Sequence, residues 1–262
     1  MRFGLCAGDP EILSRLPEWG YDYAEISGPA LLPFESDRTY QAQRAKLKNL
    51  EIPIEALAWF IPGSVPVIGP KVDAQPLRDY LVTTISRAAD LGVTVINWGS
   101  VASRRVPAGW PMSRAWQQIE SAAALIAEIA ADYDVNVAVE SVHPREANIL
   151  FYLTEAINLV STVNRPNFRL NVDYFHMMRQ NEPDDHVALA APWLIHAHTS
   201  DDYRAFPALG GWDQRRFLNL LKSAGYNGRL SFEVEGEYSP EFADAARRSV
   251  ERMREMSGDV GI

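Results

Sequence analysis

The sequence predicts an α/β chain folded as a (β/α)8 TIM barrel, and three observations lead there. Eight short apolar or β-branched runs recur along the chain, amphipathic stretches separate them, and 262 residues is near the usual size of one such barrel. Alternation alone also fits an open doubly wound sheet. No G-x-G-x-x-G or G-x-x-x-x-G-K-[ST] loop follows the first run, which weakens the nucleotide-binding form of that alternative. No low-complexity segment or shift in composition marks a linker, so residues 1–262 read as a single barrel domain.

The predicted strands are RFGLCA from Arg2, YDYAEIS from Tyr21, IEALAWF from Ile54, VTVINWG from Val93, VNVAVES from Val135, FRLNVD from Phe168, LIHAHTS from Leu194 and RLSFEVE from Arg229. Helices fill the gaps. Asp73 is placed to cap a segment in which Leu77, Leu81, Ile85 and Leu91 fall at roughly helical spacing, ended by Gly92. Trp116, Ile119, Ala123, Ile126 and Ala130 mark the fourth helix. Phe217, Leu220 and Leu221 mark the seventh, closed near Gly225, and the last runs from about Pro240 towards Met256. The weakest helical signal is in the sixth connection, around Asp184 to Ala191. Two Pro/Gly-rich stretches, IPGSVPVIGP and SVASRRVPAGWP, follow the third and fourth strands and are placed either to cover the barrel mouth or to serve as plain surface loops.

Composition narrows the partners. A net charge of -9 disfavours a nucleic-acid backbone, which is bound by clustered Lys and Arg. A lone cysteine, Cys6, makes no internal disulfide; MRFGLCAGDP lacks the apolar run of a signal peptide, and no run of about 18 apolar residues is present. A soluble cytoplasmic protein acting on a small molecule, without nucleic acid or membrane and with room for homo-oligomerisation, is the expectation.

The chemistry gathers at four successive strand ends. Glu140 closes the fifth strand, Asp173 the sixth, His198 lies near the end of the seventh, and Glu233 in the last part of the eighth, at separations of 33, 25 and 35 residues, each about one βα unit. In parallel strands such side chains emerge together at the C-terminal mouth, where barrel enzymes hold their active sites. Three converging carboxylates repel one another unless a positive charge intervenes, and a divalent cation supplies it. Three oxygen ligands and one imidazole suit Mn²⁺, Mg²⁺, Co²⁺ or Zn²⁺ and do not choose among them; one such ion per chain is expected, and manganese is taken first without the donor set requiring it.

Four segments carry a family resemblance: AVES with Glu146 six residues beyond Glu140, NVDYFH with His176 three beyond Asp173, HAHTSDDYR with Arg204 six beyond His198, and GYNGRLSFE ending on Glu233. In these the chain resembles the xylose-isomerase-like barrel superfamily of sugar phosphate isomerases and epimerases, in particular ketose 3-epimerases, inosose-pathway enzymes and hydroxypyruvate isomerases. The match is best over Val135 to Glu233; WGSVASRRVPAG also looks like a loop of a subset of these proteins. The resemblance implies that Glu140, Asp173, His198 and Glu233 hold the metal. It further implies that Glu146, His176 and Arg204 meet the substrate.

The function that follows is isomerisation or epimerisation of a small sugar, sugar phosphate or sugar acid through a metal-stabilised enediolate, Glu140 and Glu233 removing and returning the proton. Three alternatives stand beside it. An inosose-type dehydratase would use the same site; a non-catalytic sugar-binding barrel would keep the fold alone; and the related abasic-site endonuclease needs a histidine-rich cluster that a chain with five histidines, none in its first 142 residues, is poorly equipped to build. Among secondary candidates, Glu25, Trp59 and Trp98 could line the mouth, although aromatics at strand ends more often pack in the core; His196 reads as a core histidine or one that supports His198, His186 as solvent-facing, and Arg104 and Arg105 as a phosphate clamp or surface ion pairs.

Overall fold

The computed structural model describes residues 1–262. Eight parallel strands close into a barrel in sequence order: β1 (Arg2–Ala7), β2 (Tyr23–Ser27), β3 (Ile54–Ala58), β4 (Val95–Trp98), β5 (Asn136–Glu140), β6 (Phe168–Asp173), β7 (Leu194–Thr199) and β8 (Arg229–Phe232), with β8 pairing back to β1. The (β/α)8 expectation is met, and β1 and β6 coincide with the predicted runs. Ten helices accompany the strands: α1 (Pro10–Trp19), α2 (Asp37–Lys48), α3 (Ala74–Asp90), α4 (Val101–Arg104), α5 (Met112–Ala131), α6 (Leu153–Val163), α7 (Tyr174–Gln180), α8 (Asp185–Ala190), α9 (Gln214–Ser223) and α10 (Pro240–Val260).

Strand alternation sorts each run into two faces. Val137 and Val139 of β5, Leu170 and Val172 of β6, and Ile96 and Trp98 of β4 belong to the apolar core between barrel and helices. The residues between them turn inward, which places Asn97, Glu140, Asn171 and Asp173 inside the barrel. Asp73 caps α3 through the amide of Gln75, as its position before the apolar repeat predicts.

Two departures have local causes. β8 ends at Phe232, so Glu233 stands just past the strand; its N–H still bonds the Thr199 carbonyl at 3.0 Å, but the chain then leaves the ladder for an irregular segment. The sixth connection holds two short helices, α7 and α8, because Asn181 adopts a left-handed conformation (φ 52°) that stops α7, and Pro183 follows.

The Pro/Gly-rich loops after β3 and β4 pack on one another over the mouth. Ser100 Oγ accepts from the Ile61 amide at 2.9 Å and Val67 N–H donates to the Ser103 carbonyl at 2.9 Å, while Asn148 pairs twice with Val106 and ties in the loop after β5. No helix is long and apolar enough to cross a membrane.

Candidate active site

The four strand-end residues meet. Glu140, Asp173, His198 and Glu233 are all buried, and one ligating atom from each lies within 4.8 Å of the others. Their register accounts for this: Glu140 pairs with Asn171 across β5 and β6, and Asp173 with His198 across β6 and β7. His198 Nδ1 stands 3.6 Å from both Glu140 Oε1 and Glu233 Oε2 and has no hydrogen-bond partner.

Each member is held from behind. Glu140 accepts from Asn171 Nδ2 at Oε1 and from Asn97 Nδ2 at Oε2, both at 3.0 Å. Gly99 leaves room for that carboxylate, since a Cβ there would overlap Glu140 Oε2. Asp173 Oδ1 caps α7 through the Phe175 amide at 2.7 Å, and Oδ2 accepts from Arg204 Nη1 at 2.9 Å. Arg204 Nη1 also lies 2.8 Å from Glu233 Oε2. The guanidinium stacks 4.0 Å over the Phe175 ring, and Tyr203 and Arg204 both take positive φ, a non-glycine strain that turns Arg204 inward.

Beneath His198 lies Glu25, fully buried on β2. Its Oε1 and Oε2 stand 3.1 and 3.2 Å from His198 Nε2, and Oε2 is 2.8 Å from His196 Nε2. A carboxylate only accepts, so both imidazoles carry a proton on Nε2 towards it. When His198 is neutral, its Nδ1 therefore presents a lone pair to the cluster.

Charge explains why a cation fits. Burial pushes Glu140 up to about 8, a rise that Glu233 and Asp173 reinforce and His198 opposes. Burial also works against the charged forms of Asp173 and Glu233, yet Arg204 first, with the neighbouring histidines, outweighs it and holds both below the usual carboxylate range. For His198, burial disfavours the cation, but Glu25 leads the carboxylates that raise it well above an ordinary histidine. Without metal the cluster thus keeps protons on Glu140 and His198 where a divalent ion would sit. The orphaned His198 Nδ1 and the three oxygen donors suit a borderline or hard divalent cation.

A cavity of about 470 Å³ opens over the cluster. Glu146, His176 and Arg204 all line it, together with Glu140, Glu233 and Trp59. Glu146 is half exposed at the rim, its Oε1 3.4 Å from His143 Nε2. His176 Nε2 accepts from Arg204 Nη2 at 3.0 Å, because guanidinium can only donate, so the His176 proton belongs on Nδ1, which is buried without a partner. Burial lowers His176 to about 3, keeping it neutral.

Several expectations change. Arg104 is neither a phosphate clamp nor a surface ion pair: it is 1% exposed and donates to the carbonyls of Trp98, Gly99 and Glu140. Trp98 packs in the core, as strand-end aromatics more often do, whereas Trp59 reaches the cavity. His186 is four-fifths covered and bonds Glu182. Glu25, Asn97 and Asn171 support the cluster. The only trace they leave in the sequence is a polar residue inside an otherwise apolar strand run.

The barrel and its acid-lined mouth define a class, and comparison with known proteins gives it a name. Residues 13–256 match the model of the xylose isomerase-like TIM barrel family, to which the chain belongs. It is 32% identical to L-ribulose 3-epimerase of Methylomonas sp. (strain DH-1) over 120 residues, 45% of this chain and 41% of that protein. With inosose isomerase of Halalkalibacterium halodurans it shares 29% over 130 residues, 45% of this chain and 44% of the other. The matched stretches thus span less than half of either relative. A solved D-psicose 3-epimerase with D-tagatose from Clostridium cellulolyticum H10 has the same fold, with a TM-score of 0.83 at 17% identity over 98% of this chain and 99% of that one.

Proposed function

We propose that this chain is a divalent-metal-dependent epimerase or isomerase of a small sugar, acting as one domain by proton transfer at a carbon beside a carbonyl. One observation carries the reading: three carboxylates and an imidazole with a free Nδ1, from four successive strands, converge on the floor of a cavity also lined by Glu146, His176 and Arg204. The similarity to L-ribulose 3-epimerase and inosose isomerase supports the same class of reaction.

In this reading Glu140, Asp173, His198 and Glu233 hold the ion, manganese first, with magnesium, cobalt or zinc as alternatives. When bound, the metal supplies Lewis acidity that makes the C–H next to a sugar carbonyl easier to ionise. The chain's own groups do the rest. Glu140 and Glu233 exchange the proton, one removing it and one returning it to the enediolate. His176 and Arg204, both lining the cavity, hold substrate oxygens, and Glu146 accepts from a hydroxyl at the rim. The paired Asn97 and Asn171 amides keep the Glu140 carboxylate from turning away.

The test is product analysis of the metal-loaded protein with ketoses, ketose phosphates, inososes and hydroxypyruvate. One class is expected to yield an epimer or isomer, and a chelator to stop it. No conversion of any member, or conversion indifferent to chelation, would overturn the reading.

A further inference from the structure

The catalytic cavity does not end at the metal cluster. A second hollow of about 200 Å³ adjoins it, and the two share Pro29, Trp59 and Pro62 as a common wall. Its far side is made by Leu32, Phe34 and Tyr80. Phe34 is 67% exposed and Trp59 47% exposed, so two large aromatic rings stand open to solvent beside the mouth. The Phe34 and Tyr80 rings lie 5.4 Å apart.

Both walls are built rigid. Arg87, 6% exposed, donates to the carbonyls of Leu31, Leu32 and Glu35 and to Asp37 Oδ1, locking the turn that carries Phe34. Across the hollow, Tyr80 Oη donates to the Phe60 carbonyl at 2.5 Å, fixing the residue after Trp59. A Cβ on Gly28 would sit 2.6 Å from the Trp59 carbonyl, so the turn at Gly28 packs directly on that backbone. Leu32 (φ 49°) and Trp59 (φ 48°) are both non-glycine residues in the left-handed region, one on each wall. Strain of this kind persists where the surroundings over-determine it, which is common at ligand clamps. A hollow held this way is formed before anything enters it.

Charge restricts the occupant. Glu35 is the one charged residue of the hollow's lining, and no cationic side chain there would meet an anion. A phosphate or carboxylate substituent would be repelled, while a neutral ring can lay its C–H face on Trp59 and Phe34.

We infer that this hollow is a second subsite, and that the substrate is an uncharged sugar bearing a further neutral ring, a second sugar or an aryl group, which stacks between Trp59 and Phe34. The inference rests on the catalytic reading above for the placement of the reacting sugar. The shared Pro29, Trp59 and Pro62 set the two hollows side by side, so one molecule can reach both.

The test measures dissociation constants of methyl β-D-glucopyranoside and phenyl β-D-glucopyranoside for the metal-loaded protein, for Phe34→Ala and for Trp59→Ala. The phenyl glycoside is expected to bind about 10-fold more tightly than the methyl one, as an aromatic contact would give, with the ratio falling towards unity in both variants. Equal affinities, no binding of the phenyl glycoside, or a ratio that survives both substitutions would overturn the subsite. A wild-type dimer that Phe34→Ala converts to monomer would assign the aromatic patch to a second copy of the chain and also overturn it. The two readings fail separately: if no sugar is epimerised the catalytic reading falls while the affinity ratio still tests the subsite, and equal affinities in an active epimerase sink the subsite alone.

Discussion

Replacing Glu25 by Gln probes the cluster from below without touching a ligand. Both Glu25 oxygens lie 3.1 to 3.2 Å from His198 Nε2, so in either orientation the new amide presents one oxygen and one NH2 group to that nitrogen, and the charge is gone. An amide N–H and an imidazole N–H cannot share a hydrogen bond. His198 Nε2–H is then left with a neutral acceptor on one side and an opposing donor on the other, a weaker support for the ring whose Nδ1 faces Glu140 and Glu233. Removing such a partner behind a ligating histidine typically costs 10- to 100-fold in metal affinity, or about 1.4 to 2.7 kcal/mol. The metal-free fold should lose some stability as well: burial opposes the Glu25 charge, but His198 and His196 outweigh it and hold the carboxylate well below its usual range. The assay is metal titration by calorimetry, with the melting temperature of the metal-free variant as control. Wild-type affinity in Glu25→Gln, with the fold intact, would refute the supporting role assigned to the Glu25 carboxylate.

Three further outcomes follow from the same geometry. Arg204→Lys should keep the metal, since Arg204 is no ligand, yet lower turnover by about 10²- to 10³-fold, because an ammonium cannot reach Asp173, Glu233 and His176 together; unchanged kinetics would contradict this. Gly99→Ala should displace the Glu140 carboxylate and weaken metal binding by at least about 10-fold, read by the same titration. In the metal-free protein, Glu140 and His198 are both raised, so the folded state holds protons that the unfolded state has released. His176 and His196, held neutral in the fold, oppose this trend up to the ordinary histidine range, so the melting temperature should fall as pH rises from about 7 through 8, and metal binding near pH 7 should release protons from Glu140 and His198, measurable with an indicator dye. A flat pH profile with no proton release would contradict the charge account.

The sequence makes the barrel legible because its strands face two environments. Runs such as FRLNVD alternate clearly enough that their ends, and hence Asp173, can be placed from residue types alone. The ligand set is readable for the same reason: parallel strands fix where a terminal side chain emerges. What supports those ligands is not readable, since Glu25 meets His198 across 173 residues of chain and only barrel closure brings them together. Asn97 and Asn171 look like polar residues of a half-exposed strand until both strand faces are seen to be covered. Arg104 misleads in the opposite sense. Its charge suggests a surface or an anion, but five guanidinium donors can be largely met by backbone carbonyls inside the protein.

The central claim, metal-dependent proton exchange through Glu140 and Glu233, is tested most directly by deuterium wash-in. The metal-loaded protein, the chelated protein and the Glu140→Gln and Glu233→Gln variants would each be incubated in D₂O with the sugar that gives product, and followed by NMR. The account predicts deuterium at one carbon beside the carbonyl in the loaded protein, none after chelation, and turnover reduced about 10²- to 10⁴-fold in each variant with metal still bound. Near wild-type turnover in either variant, or wash-in that persists without metal, would contradict it.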